Sequence, residues 1–242
     1  EKQSMSPNLD YISPPVPLDL IQKELTKDRF IRTTNKGSNE IYIINHHNSP
    51  NVMHEIGRLR ELTFASAGGG TGQSIDIDKY DTSENCYNQL IVWAPESKEI
   101  IGGYRFIDCS KIIDTEPLEL ATQRYFNYSD QFKKNYLPYT VELGRSWVQP
   151  NFQPSNISRR GIFALDNLWD GLGSIVVDNP HIKYYSGKVT LYSSYNKEAR
   201  DALMYFLNYF FNDPDGLISP VEAVSIASDI EEFKENLVGL DY

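Results

Sequence analysis

Several stretches of the chain carry a hydrophobic period that fixes their conformation. Glu40 to Asn45 (EIYIIN) is rich in Ile and Tyr and breaks at His46, His47 and Asn48, which predicts a short strand. Ser49 and Pro50 then suit an N-cap and a first helical residue. Val52, Ile56, Leu59 and Thr63 follow at helical spacing until Gly68, predicting one helix of about four turns. Gln89 to Ala94, a turn at Pro95 to Lys98 and a second run from Glu99 to Ile107 predict a hairpin. Tyr139 to Gln149 (YTVELGRSWVQ) alternates as a further strand. Gly161 to Val177 carries Phe163, Leu165, Leu168, Trp169, Leu172, Ile175 and Val176, a density that predicts a buried helix. Lys183 to Tyr192 reads as a strand. Asn196 caps a helix with Ala199, Ala202, Leu203, Phe206, Phe210 and Phe211 on one face, a pattern that favours core over an interfacial membrane helix.

Composition frames these elements. Residues 1–17 are polar and rich in proline (Pro7, Pro14, Pro15, Pro17), which predicts an extended lead-in. A single domain is expected over 18–220 and an acidic helical segment over 221–242. Only Cys86 and Cys109 are present, without C-x-x-C spacing, so neither a disulfide scaffold nor structural zinc is expected. The 242 residues hold 23 bases against 33 acids, a net charge of −10, which excludes a nucleic-acid binder that neutralises phosphates. The acidity is uneven. Six acids and one base lie in 221–242, whereas 141–200 holds seven bases and five acids, so an acidic protein partner could still dock there. No apolar run reaches the ~18 residues of a membrane span, and a cytoplasmic protein is expected, with peripheral contact at the inner face of the membrane left open.

Gly68 to Gly72 (GGGTG) lacks the G-K-[ST] ending of a phosphate loop and neither follows a strand nor opens a helix, so it reads as a flexible loop after a helix end. His46 and His47 would face opposite sides of a strand, so no metal is assigned to them. Charges inside apolar text are more informative. Glu142 and Arg145 sit in YTVELGRSWVQ, Arg105 in IIGGYRFI, Arg60 one helical turn from Phe64, and Asp78 and Asp81 stand three apart. Such charges cost stability unless paired or used. Two readings are open: an ion-pair network joining sheet to helix, or a cleft in which a strand carboxylate is a general base and arginines hold an anionic substrate. Arg159-Arg160-Gly161, leading into a helix, supplies free backbone N–H groups and a positive dipole end for a phosphate.

The order strand, helix, hairpin, acid-bearing strand, basic glycine turn and helix resembles the GNAT acyltransferases, with an α/β fold of a mixed central sheet flanked by helices. HEIGRLRELTF, IDIDKYD, IIGGYRFI and VELGRSWVQPNFQ are similar to the autoinducer-synthase-like branch that includes bacterial ornithine-lipid and glycine-lipid N-acyltransferases, some labelled hemolysins. The resemblance runs from about Asn45 to Phe211. It implies transfer of a fatty, 3-hydroxy acyl group from the phosphopantetheine of acyl carrier protein to the α-amine of an amino acid, glycine or ornithine, in aminolipid biosynthesis. It implies Glu142, Arg145 and Arg60 as catalytic residues and Phe64, Asp78, Asp81 and Arg105 as substrate-binding residues. Arg159, Arg160 and Gly161 are implied to bind the donor, although Arg159 to Ala164 keeps only part of the R/Q-x-x-G-x-G/A turn that binds coenzyme A. No tightly bound cofactor is implied beyond acyl carrier protein, or acyl-coenzyme A, as co-substrate. Two alternatives stand beside it: an acetyl-coenzyme A-dependent N-acetyltransferase of small amines, and a non-enzymatic membrane-active protein. Lipid acyltransferases of this branch commonly extend further than Tyr242.

Overall fold

A computed structural model of the protein describes residues 8–115, 117–153, 161–192 and 194–240. The chain begins with α1 (Leu18–Glu24), β1 (Phe30–Thr33), β2 (Glu40–Ile44), α2 (Pro50–Ser66) and the one-turn α3 (Lys79–Thr82). The hairpin strands are β3 (Asn88–Ala94) and β4 (Glu99–Asp108), followed by β5 (Phe126–Tyr128), α4 (Asp130–Asn135) and β6 (Thr140–Val148). The rest comprises α5 (Ala164–Asp178), β7 (Tyr184–Gly187), α6 (Lys197–Phe210), β8 (Ile218–Pro220) and α7 (Glu231–Leu237). Six strands form one sheet in the order β1-β2-β3-β4-β6-β7, with β5 and β8 paired separately. Every neighbour in the large sheet is antiparallel except β6 and β7.

Period-2 alternation gives the sheet two apolar faces. On one, Ile41, Leu90, Val92, Ile101, Phe106 and Val141 pack against Leu168, Leu172 and Ile175 of α5. On the other, Tyr42, Ile44, Ile91, Trp93, Ile100 and Trp147 receive Val52, Met53, Ile56 and Leu59 of α2. Burial of each such side chain contributes roughly 1.5–3 kcal/mol, so these four residues alone bind α2 firmly to the sheet. A third cluster, with Tyr87, Ile107, Cys109, Ile112, Leu120, Phe132 and Leu137, forms where the chain leaves β4 at Cys109 and returns to β6 at Thr140.

Local details depart from the sequence pattern for physical reasons. Ser49 makes no side-chain cap on α2; its hydroxyl donates to Asn48 Oδ1. The first free amides of α2 are met instead by Glu24, which accepts from Asn51 N at 3.1 Å and Val52 N at 2.8 Å. Helix α5 is buried on one face only. Leu165, Trp169, Val176 and Val177 point to solvent, because residues three and four apart share a face and Leu168, Leu172 and Ile175 already occupy the sheet. The aromatic face of α6 does not form core either: Asp201 is its one fully buried residue, while Leu203, Leu207, Tyr209 and Phe211 are exposed. Asp201 Oδ2 anchors the helix by accepting from the amides of Ala227 and Ser228 and from the Ser228 hydroxyl. β7 ends at Gly187, short of the stretch to Tyr192 expected from composition, and in the acidic tail helix begins only at Glu231. Residues 8–17 contain neither helix nor strand; Tyr11 and Val16 bond to Glu61 and Glu55 of α2. Among the described residues no helix is long and apolar enough to cross a membrane.

Two glycines of α5 separate packing from propensity. A Cβ on Gly171 would stand 2.6 Å from Leu90 Cδ2, whereas one on Gly173 meets nothing within 4 Å. Gly171→Ala is expected to lower unfolding free energy in urea by about 1–3 kcal/mol through overpacking. Gly173→Ala is expected to raise it by about 0.5–1 kcal/mol. Equal effects of the two would contradict the α5–sheet contact.

Candidate active site

Arg60 on α2 points into the interface between helix and sheet and is wholly buried. Its Nε donates to Asp76 Oδ2 at 3.1 Å, and Nη1 and Nη2 donate to the two oxygens of Asp81 at 3.2 and 3.1 Å. Arg105 reaches the same place from β4, Nη1 donating to Asp78 Oδ1 at 2.7 Å and Asp81 Oδ2 at 3.2 Å. Arg145 of β6 completes the set, with Nε 2.9 Å from Asp76 Oδ2 and Nη2 3.6 Å from Asp78 Oδ2. Gln89 of β3 adds an amide bond to Asp81 Oδ1 at 3.0 Å. Three guanidiniums and three carboxylates thus cancel in charge.

The aspartates are set by local backbone. Asp78 caps α3, its Oδ1 accepting from Tyr80 N at 2.9 Å, and Asp81 Oδ2 accepts in return from Asp78 N at 3.0 Å. The D-x-x-D spacing is therefore a capping box, which orients both carboxylates through local backbone bonds. Burial alone would raise the Asp81 pKa, but the Arg60 and Arg105 guanidiniums outweigh it and hold the carboxyl below its ordinary value. The same carboxylates raise Arg105 further against its own burial.

Arg145 reaches this face through a break in the strand. Strict alternation would send Glu142 and Arg145 to opposite sides of β6. Between the Gly103–Trp147 and Arg105–Gly144 pairs the register slips by one residue, and Arg145 takes φ 47° in the left-handed region. This bulge turns Arg145 and Trp147 toward α2, onto the side that also carries Glu142, at a backbone cost of roughly 1–3 kcal/mol for a non-glycine residue.

Glu142 is 3% exposed and stands apart from the ion pairs. Its Oε1 accepts from the Tyr87 hydroxyl at 2.8 Å and its Oε2 from Thr122 Oγ1 at 2.5 Å, with the Tyr128 hydroxyl 2.5 Å beyond Thr122. Tyr87 Oη also accepts from Ala121 N at 2.9 Å, so the excursion between β4 and β6 is tied to the carboxylate twice. Desolvation dominates over these donors and raises the Glu142 pKa above its ordinary value. Cys109, fully buried beside it, is pushed up to about 12 by burial, which leaves it a thiol and no nucleophile at neutral pH.

The structure thus brings Arg60, Arg105, Arg145, Asp78 and Asp81 together, with Glu142 nearby on β6. The phenyl ring of Phe64 packs against the α2-side core, outside the ion pairs. Gly161 is buried, and a Cβ there would lie 2.0 Å from the Phe152 carbonyl oxygen, so the backbone itself excludes any side chain. Arg159 and Arg160 lie outside the described residues. Gln89, Tyr87 and Thr122 carry no sequence signal of their own. Asp76 alone is hinted at, two residues before Asp78 in the alternating IDID. The glycine loop is held in place: buried Glu61 accepts from Thr71 N, Thr71 Oγ1 and Gly72 N at 2.8, 2.6 and 2.9 Å. Amides that a phosphate would need are committed to a carboxylate of the protein itself.

A mixed sheet flanked by helices, in which an acid-bearing strand runs parallel to one neighbour for four residues and then continues without it, is a GNAT acyltransferase architecture. The family model for the acetyltransferase (GNAT) domain matches residues 59–160. A glycine N(alpha)-acyltransferase of Bacteroides thetaiotaomicron is 51% identical over 229 residues, covering 93% of this chain and 68% of the relative. One of the same name from Phocaeicola vulgatus is 49% identical over 236 residues, covering 96% and 72%. The chain belongs to this family of GNAT N-acyltransferases and is an acyltransferase.

Removing Arg60 leaves two buried carboxylates short of a partner. Arg60→Met is expected to cost about 3–5 kcal/mol in urea unfolding, and Asp81→Asn added to it should cost much less than it does alone. Because Asp81 is depressed in the folded state, its contribution is present above its unfolded value and lost as pH falls through the folded one. Strictly additive costs would contradict the coupling.

Proposed function

We propose that the protein transfers a long-chain, 3-hydroxy fatty acyl group from the phosphopantetheine thioester of acyl carrier protein to the α-amine of glycine, as a step in aminolipid formation. The observation that carries this reading is a carboxylate, Glu142, buried and raised in pKa, on the strand whose edge opens beside it. β6 continues to Val148, but its pairing with β7 ends at Leu143 and Gly187. An open strand edge suits an extended arm with two amides, such as pantetheine, which can add to it through main-chain hydrogen bonds. Helix α5 begins without a side-chain cap, which leaves its first N–H groups free for an anion. The names of the two bacterial relatives support glycine as the acceptor.

Glu142 accepts a proton from the ammonium, directly or through one water. The freed amine attacks the thioester carbonyl, and an N–H of the open β6 edge faces the resulting oxyanion. Collapse breaks the C–S bond and forms the amide; the departing pantetheine thiolate takes up the second proton of the nitrogen, and Glu142 releases the first to solvent. A direct transfer of this kind fits a site whose cysteine stays protonated.

Glu142→Gln is expected to lower kcat roughly 10²- to 10⁴-fold with loaded carrier protein and glycine, and to abolish the rise of rate with pH at the acidic end of the wild-type profile. Near wild-type N-acylglycine formation would remove Glu142 from this role. Replacing both Arg159 and Arg160 by Glu is expected to raise KM for the loaded carrier protein. An unchanged KM would place carrier docking elsewhere.

A further inference from the structure

The three arginines of the network are not equivalent. Arg60 is closed off, with Nε, Nη1 and Nη2 all donating to aspartates. Arg105 is 4% exposed and donates through Nη1 to two carboxylates. Arg145 has a quarter of its side chain exposed and makes no well-directed hydrogen bond among the described residues. Its Nε is 2.9 Å from Asp76 yet poorly aimed, and Nη2 stands 3.6 Å from Asp78, beyond hydrogen-bond distance. Asp78 is in turn the most exposed of the three aspartates, at 33%, and its Oδ2 has only that loose contact, since Oδ1 takes the bonds from Arg105 and Tyr80. The protein thus holds a strained arginine on a bulge without giving its guanidinium a complete set of acceptors.

We propose that this loosest link, between Arg145 and Asp78, is where the acceptor amino acid binds, its carboxylate taken by Arg145 and its ammonium facing Asp78 Oδ2. The proposal rests on the acyl-transfer reading above and names the acceptor site within it. A zwitterion suits the link because the exchange is neutral: one ion pair inside the protein is replaced by two between protein and substrate, and the network keeps its balance. Arg60 and Arg105 offer no such exchange without uncovering a buried carboxylate. The location also fits, because Arg145 lies on the β6 segment that has left β7, where the thioester arm would run, and is three residues from Glu142 on the same side of the sheet. At about 3.3 Å per residue, three residues of strand put the Glu142 and Arg145 backbones within about 10 Å of each other.

The test compares glycine with glycinamide, which keeps the amine and lacks the carboxylate, using loaded carrier protein and the intact chain. Wild type is expected to prefer glycine about tenfold to a hundredfold in kcat/KM, as one charge-assisted bidentate contact allows. Arg145→Gly, which suits the left-handed backbone and so keeps the fold, should bring the ratio near one, chiefly through a higher KM for glycine. Arg145→Lys, which keeps the charge and loses the fork, should fall between. Wild type that prefers glycine while Arg145→Gly retains that preference overturns the site alone. Wild type that acylates neither amine overturns the functional reading and the site with it.

Discussion

Asp81 is the point on which the site is built. It is buried without exposure and accepts from Arg60 on α2, from Arg105 on β4, from Gln89 on β3 and from the backbone of its own capping box. Four separate pieces of chain are therefore referred to one carboxylate. Hydrophobic contact between α2 and the sheet supplies the larger share of the energy, since a buried ion pair gains little over a well-packed apolar alternative. The pair supplies position: an aliphatic interface tolerates a slide of the helix, whereas bonds near 3 Å to both oxygens of one carboxylate do not. We read the network as a device that fixes register between helix, hairpin and β6.

That register matters because the site proposed for the chemistry lies at its edge. Glu142 is held by donors from β3's approach and from the excursion between β4 and β6, and Arg145 is brought to the same side by a one-residue slip in pairing. A regular strand would leave them on opposite faces and could not line one cleft with both. The bulge, the open edge beyond Leu143 and the parallel start of β7 are thus parts of one arrangement, in which a strand is first secured on both sides and then freed on one.

What could be read from the sequence follows what is local. The β3–β4 hairpin, α2 and the strand carrying Glu142 are set by period and turn chemistry within a few residues, and the structure has them where the pattern predicts. The charged residues were also legible, because six ionisable side chains in apolar text demand partners. Their pairing was not: Arg60 and Arg105 close an ion-pair network while Arg145 and Asp78 remain partly open. The bulge escaped because its left-handed residue is an arginine, and the neighbouring Gly144 marks the place without giving the conformation. Thr122 and Tyr87 escaped because their importance is tertiary, and the aromatic stripe of α6 misled because helical period predicts a face without saying what covers it.

The most direct measurement is mass spectrometry of lipids from a bacterial host expressing the chain and fed ¹⁵N-glycine. An N-acylglycine carrying one ¹⁵N and a 3-hydroxy fatty acyl group, absent from cells expressing Glu142→Gln, is the expected result. Acetylated small amines in place of acylated glycine, or the same acylglycine from both cell lines, would contradict it.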